Sequence, residues 1–352
     1  MMISQTNNLS TKRDVEIDLL RIIAAFYVII LHIMGRGGIY DALLQEDPFK
    51  RYAAFCLYFW SLCAVNLFGL ISGYANYSNQ ATPPKSYQKY LKLWLEVVFY
   101  NVLITVVSYW LVPEYDGQRS LLICFFPVSK SLHWYFTAYT LLFPLIPLLN
   151  AGIRNCDNKL LLRLVAVIIF VIAPIENIRG CFKFSLGYSP IWLLLLYLIG
   201  AILKKTRICD RISPVVALVC IGALILLTTW GRMYFDPEFL TRCDVILTNH
   251  YVFLPHILCA ILHIPLVSRF RPGKRISRLI SFAAAGSFAV YIINTQSFIW
   301  NYYMDNRFES WAQNSTYGIL VRVLATAFVF VFVSVAVDYL RRRLFGLIFR
   351  RQ

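Results

Sequence analysis

Charge is scarce in this chain: only 15% of its 352 residues are Asp, Glu, Lys or Arg, and just 18 are acidic. A soluble domain averages about 25% charged residues. Set beside a hydrophobic share of 59%, the shortage excludes an ordinary soluble enzyme and indicates a polytopic membrane protein. Long polar intervals are missing too, so no separate soluble domain is expected and any activity must sit in the bundle or its short caps. There is no internal repeat of the kind that marks many secondary transporters, and no low-complexity segment. Ser72 lacks a G-x-S-x-G elbow, and no H-E-x-x-H zinc helix occurs. The five histidines (His32, His133, His250, His256, His263) and nine cysteines show no metal-type spacing, so no metal is assigned. Cys56, Cys63, Cys220 and Cys259 lie in apolar runs and read as packing residues. Cys124, Cys181 and Cys243 are placed toward the outside, where a disulfide is permitted, but nothing in the sequence pairs them. Met1 to Thr11 is polar and no small-residue cleavage pattern follows the first apolar run, so that run is expected to be a retained anchor.

What is abundant is apolar sequence in lengths near the roughly twenty residues a membrane span needs. Ten spans are expected, at 17–37, 55–76, 91–112, 132–151, 160–178, 187–204, 213–230, 246–267, 279–299 and 317–338. The chain is therefore read as an all-α ten-transmembrane-helix bundle with short loops. It divides into an N-terminal segment (1–16), the membrane domain (17–338) and a basic tail (339–352). The net charge of +16 sits in short clusters between spans, which argues for loops at one membrane face and against a nucleic-acid partner. Lys12 and Arg13, Lys85 to Lys92, Arg154 to Arg163, Lys204 to Arg211, Arg269 to Arg278 and Arg341 to Arg343 all fall at even-numbered boundaries. Lysine and arginine bias makes that side the cytoplasm and both termini cytoplasmic.

Several polar residues stand inside or beside these runs. Arg21 and His32 are eleven residues apart, about three helical turns, so they share one stripe with an offset of only about 20° over roughly 16 Å. A base deep in hydrocarbon aligned with a cation near the rim is costly unless it is used, or unless the histidine bonds a neighbouring helix. Asp18 is three positions from Arg21, near enough for a same-helix pair. Lys85, Lys89 and Lys92 recur at four and three residues and share a helical face. With Arg21 they outline a basic mouth for an anionic ligand, although cytoplasmic loops carry such lysines without any ligand. Gly69 and Gly73 permit close helix approach, and Ser72 and Tyr74 add hydroxyls there. Either packing, or a helix break lining a cavity, fits that sequence. His133, Trp134 and Tyr135 present polar edges and flat faces suited to carbohydrate at an interfacial aromatic belt. Glu96, Glu176 and Asn294 lie in or near spans, where a buried acid is a functional candidate by default. Asp338 is expected to pair with Arg341 or Arg342.

Taken together, these residues resemble the membrane-bound acyltransferase-3 family, many of whose bacterial members O-acetylate cell-surface polysaccharides. The likeness rests on the arginine, ten intervening residues and histidine of the first helix, here Arg21 and His32. It extends to Ile71-Ser72-Gly73-Tyr74 with the basic segment Lys85 to Lys92, and to Trp134-Tyr135 running on to Pro144 and Pro147. Leu196-Tyr197-Leu198-Ile199-Gly200-Ala201 and the basic C-terminal tail complete it, so it covers nearly the whole chain. It implies a bacterial cytoplasmic-membrane enzyme that takes acetyl-CoA from the cytoplasm and acylates a hydroxyl of a surface glycan or its lipid-linked precursor. Arg21, Lys85, Lys89 and Lys92 would hold the donor, and His32 would be the base. Ser72, Tyr74, Glu176 and Asn294 would assist it, and His133, Trp134 and Tyr135 would meet the acceptor. Direct transfer and a covalent acetyl-histidine both remain open, and a homodimer is compatible with the sequence. One departure matters: many relatives carry a second histidine near the position of Asn294, which can supply only hydrogen bonds. No extracytoplasmic hydrolase-like domain follows the tenth span, so the short single-domain form is expected. A proton-coupled transporter of a sugar-like solute, or a scaffold of a polysaccharide-assembly complex, are the alternatives.

Overall fold

The computed structural model describes residues 14–80, 87–115, 117, 120–234 and 250–349. Among them every regular element is a helix. Eight helical stretches are long and apolar enough to cross a membrane, which makes the chain a multi-pass membrane protein. These are α1 (Val15–Met34), α2 (Pro48–Asn76), α3 (Tyr87–Leu111), α4 (Trp134–Asn155), α5 (Asn158–Arg179), α7 (Pro214–Tyr234), α9 (Lys274–Thr295) and α10 (Thr316–Phe349). The other two expected spans are shorter: α6 (Pro190–Thr206) has 17 residues and α8 (Leu254–Val267) has 14. At 1.5 Å per residue they reach only about 26 and 21 Å, against a hydrocarbon core of about 30 Å. The count of ten is thus not met by length alone.

Local chemistry sets the helix boundaries. Asp14 caps α1 by accepting from the Glu16 amide at 3.2 Å. Asp47 caps α2 by accepting from the amides of Phe49 and Lys50 at 2.9 and 3.1 Å, with Pro48 at the first helical position. Ser189 and Pro190 repeat that arrangement at α6, where Ser189 accepts from the Trp192 amide at 3.1 Å. α2 is interrupted at Leu62–Cys63, and not near Ser72-Gly73, where a break was one of the two readings. The glycines there serve packing: a Cβ on Gly73 would lie 1.9 Å from the Tyr197 carbonyl oxygen, and one on Gly200 would lie 2.0 Å from that of Leu70. α2 and α6 therefore touch backbone to backbone, and α6 carries the fully buried Trp192 and Tyr197 into the centre of the bundle.

The basic boundaries gather at one end. Glu16 pairs with Arg271, and Lys204 lies over the Tyr74 ring at 4.5 Å. Lys205 Nζ donates to the carbonyls of Ile153, Arg154 and Cys156 at 2.6–3.2 Å, tying the ends of α4 and α6 together. α10 continues as helix to Phe349, so Arg341 to Arg343, expected in a tail, belong to its last turns. Asp338 pairs there with Arg341 and Arg342, as the sequence indicated.

Candidate active site

α1 presents Arg21, Val28, Leu31 and His32 along one stripe, and all four line a single cavity of about 580 Å³. The expected alignment of Arg21 with His32 is therefore present. Arg21 Nη1 lies 3.0 Å from Asp18 Oδ1, and the fully buried Asp18 also accepts from Ser281 Oγ at 2.8 Å. That anchors the guanidinium at the basic end while about a third of it stays exposed.

His32 sits at the other end of the stripe. Leu31 and Ile33 on either side are buried, but His32 itself keeps partial access through the cavity. Its Nδ1 is hydrogen-bonded to Oδ1 of Asn294 on α9. An amide oxygen can only accept, so Nδ1 carries the proton and Nε2 holds the free lone pair. Among the described residues Nε2 has no hydrogen-bond partner. Trp300 packs edge-on against the imidazole at 4.7 Å and is in turn covered by Arg36 at 5.6 Å. Arg36 is held by Asp305 at 3.1 Å and donates to Asn301 at 3.3 Å. Asn294 is fully buried behind the histidine and does not line the cavity.

Beyond His32 the cavity wall is aromatic. Trp134 meets Tyr188 edge-on (4.8 Å) and stacks on Tyr251 (6.3 Å), the hydroxyls of the two tyrosines lie 3.1 Å apart, and Tyr135, Tyr291 and Trp300 add further faces. Ser72 lines the cavity as well. Its hydroxyl donates to the Phe68 carbonyl at 3.0 Å. His133 also borders the cavity, but both of its nitrogens are engaged, by Thr295 Oγ1 at 2.8 Å and Asn101 Oδ1 at 3.2 Å. It ties α4 to α3 and α9 and has no nitrogen left for a ligand.

Other expected residues lie elsewhere. Tyr74 borders a separate cavity of about 660 Å³ with Lys204 and Arg271. Ser72 and Tyr74 are two residues apart, about 200° around a helix, so they cannot face the same space. Glu176 is buried outside the cavity and accepts from the amides of Phe182 (2.7 Å) and Phe184 (2.6 Å), so it organises the turn after α5. Lys89 and Lys92 border a third cavity that adjoins the first, and Lys85 lies outside the described residues. Glu96 is ion-paired to Arg341 at 3.1 Å. Cys124 and Cys181 are free thiols, and Cys243 lies outside the described residues. Cys63, Cys259 and His263 gather with potential ligand atoms within 4.8 Å of one another. The His263 nitrogens are already engaged, Nδ1 by the Cys259 carbonyl and Nε2 by Tyr27 and Trp60.

Sequence reasoning missed Ser297, Trp300 and Asn301, which line the cavity with His32. They straddle the start of a π-helical stretch, Ile299–Met304, a distortion that often accompanies functional sites and that hydrophobic periodicity does not reveal.

The arrangement is a base with a fixed tautomer, set in a cavity that reaches from a cation at one end of α1 to an aromatic wall at the other. Residues 14–339 match a family described as an acyltransferase domain, the acyltransferase-3 membrane proteins. No curated protein and no solved structure matches the chain.

Proposed function

The chain belongs to the acyltransferase-3 family, and from that premise we propose that it moves an acetyl group from acetyl-CoA to a hydroxyl of a surface glycan or its lipid-linked precursor. The observation that carries this reading is the free Nε2 of His32 in the cavity, with Nδ1 held by Asn294.

The donor approaches from the basic end past Arg21 and presents its thioester beside His32. The acceptor lies against Trp134, Tyr188 and Tyr251, whose flat faces and hydroxyls suit a sugar ring. His32 Nε2 takes the acceptor hydroxyl's proton as that oxygen attacks the thioester carbonyl. The carbon–sulfur bond then breaks, the thiolate receives the proton from Nε2, and an ester and a free thiol result. Ser297 and Asn301, which flank Trp300 in the lining of the same cavity, are neutral donors for the developing oxyanion. Holding the proton on Nδ1 leaves the Nε2 lone pair free at the start of each cycle, the form that direct transfer requires of a base.

In this reading all ten helical segments pass through or into a bacterial cytoplasmic membrane, with both termini and the basic end in the cytoplasm. The test is free-thiol release: purified protein with acetyl-CoA and an alkyl glucoside should liberate CoA thiol and yield an acetylated glucoside. A proton-coupled transporter would leave the thioester intact.

A further inference from the structure

Past Met34, where α1 ends, the chain runs through Arg36 and against the segment that follows α9. The Asn306 amide donates to the Arg36 carbonyl at 3.0 Å, and the Phe308 amide donates to that of Gly37 at 2.9 Å. These bonds hold the Arg36 backbone beside the π-helical stretch Ile299–Met304, which brings Trp300 and Asn301 to the His32 cavity. Arg36 itself does not line that cavity.

One nitrogen of Arg36 makes both polar contacts of its side chain. Nη2 donates to Asn301 Oδ1 at 3.3 Å and pairs with Asp305 Oδ2 at 3.1 Å, and it has two hydrogens, one for each. The guanidinium also covers the Trp300 ring, which meets the His32 ring at 4.7 Å.

A guanidinium can only donate. Asn301 must therefore turn its amide oxygen to Arg36, because the flipped amide would set two donor groups against each other. Its Nδ2 is left with no hydrogen-bond partner among the described residues, on a side chain that borders the cavity. Ser297 differs, because a hydroxyl held by nothing rotates to suit any neighbour. Of the two neutral donors, Asn301 alone has its direction set before substrate arrives, as electrostatic preorganisation requires.

We propose that Arg36 is a positioning residue for the acyl transfer, acting through Asn301, whose Nδ2 it aims at the thioester carbonyl oxygen as negative charge develops there. This rests on the acyl-transfer reading above and adds to it a residue outside the cavity. The Arg36–Asp305 pair is exposed by 36% and 39% on its two sides. Such a pair adds little to stability, so the role of Arg36 is expected in turnover.

The test is a double-mutant cycle on the full-length protein in nanodiscs, read as kcat and KM for thiol release from acetyl-CoA with an alkyl glucoside. Melting temperature is measured alongside. Arg36→Met removes every donor and keeps an apolar stem over Trp300. It should lower kcat by about tenfold, as a misdirected group does, with little change in the KM for acetyl-CoA or in melting temperature. Arg36→Lys, which keeps a charged donor, should recover part of that loss. Asn301→Ala should cost ~10²-fold in kcat, the lower bound for removing one oxyanion donor. Adding Arg36→Met to Asn301→Ala should then cost nothing further, because the group it acts through is gone. An arginine with a merely structural role would lower both backgrounds by the same factor. Wild-type kcat in Arg36→Met, or losses that multiply in the double variant, would overturn the proposal and leave the acyl-transfer reading standing. Absence of thiol release from wild type would remove the acyl-transfer reading, and the proposal with it.

Discussion

Asn294 accepts a hydrogen bond from Nδ1 of His32, joining α9 to α1 across 262 positions of sequence. The pair fixes which imidazole nitrogen faces the cavity. It also explains how a chain with asparagine at this position can retain a competent base: the amide oxygen selects the tautomer without itself exchanging a proton. Asn294→Ala should therefore lower kcat by about ten- to a hundredfold, less than the ~10²–10⁴ expected for loss of the base, with little change in CoA affinity. Asn294→Asp should retain more activity than Asn294→Ala, because a carboxylate still accepts from Nδ1. Steady-state thiol release at saturating donor checks both.

Glu176 tests the difference between a buried acid that reacts and one that organises. Its two carboxylate oxygens each receive one backbone N–H. Glu176→Gln keeps one acceptor and turns the other into a donor facing an amide. Thermal stability in detergent should fall by about 1–3 kcal/mol, the cost of a buried hydrogen bond left unmade, while kcat per folded molecule stays close to wild type. A stable variant with turnover abolished would return Glu176 to the catalytic group.

The contact of α2 with α6 makes a steric prediction. Gly200→Ala places a Cβ about 2.0 Å from the Leu70 carbonyl oxygen, which a backbone atom cannot yield without separating the helices. Overpacking of this kind costs about 1–3 kcal/mol or more, so the variant should show a clear drop in melting temperature and yield. Gly222→Ala, where nothing lies within 4 Å of the added methyl, is the control and should behave as wild type.

Much of this was legible in the sequence, in physical terms that can be traced residue by residue. The stripe from Arg21 to His32 follows from helical geometry alone, and the Asp338–arginine pairs follow from spacing on one helix. Trp134 and Tyr135 border the cavity, where the sequence offered either an interfacial aromatic belt or a sugar-facing rim and could not choose between them. Tyr74 lines a different cavity from Ser72, a separation already implicit in the roughly 200° between them on the helix. Glu176 and His133 could not be read, because what decides their roles lies outside their own helical pattern. The Glu176 amides belong to an irregular turn containing Gly180, Lys183, Ser185, Leu186 and Gly187 at positive φ, and the His133 partners come from α3 and α9. Ser297, Trp300 and Asn301 were hidden by the π-helical turn, where the 3.6-residue period used to assign faces no longer holds.

The measurement that bears most directly on the account is turnover of His32→Gln, purified in nanodiscs and assayed with saturating acetyl-CoA and an alkyl glucoside acceptor. Glutamine keeps a hydrogen-bonding side chain of similar reach but cannot take the acceptor's proton. The account predicts CoA binding within about twofold of wild type and a loss of acetyl transfer of at least ~10²-fold, the lower bound for removing a general base. Acetyl transfer at the wild-type rate in the folded, CoA-binding variant would contradict it.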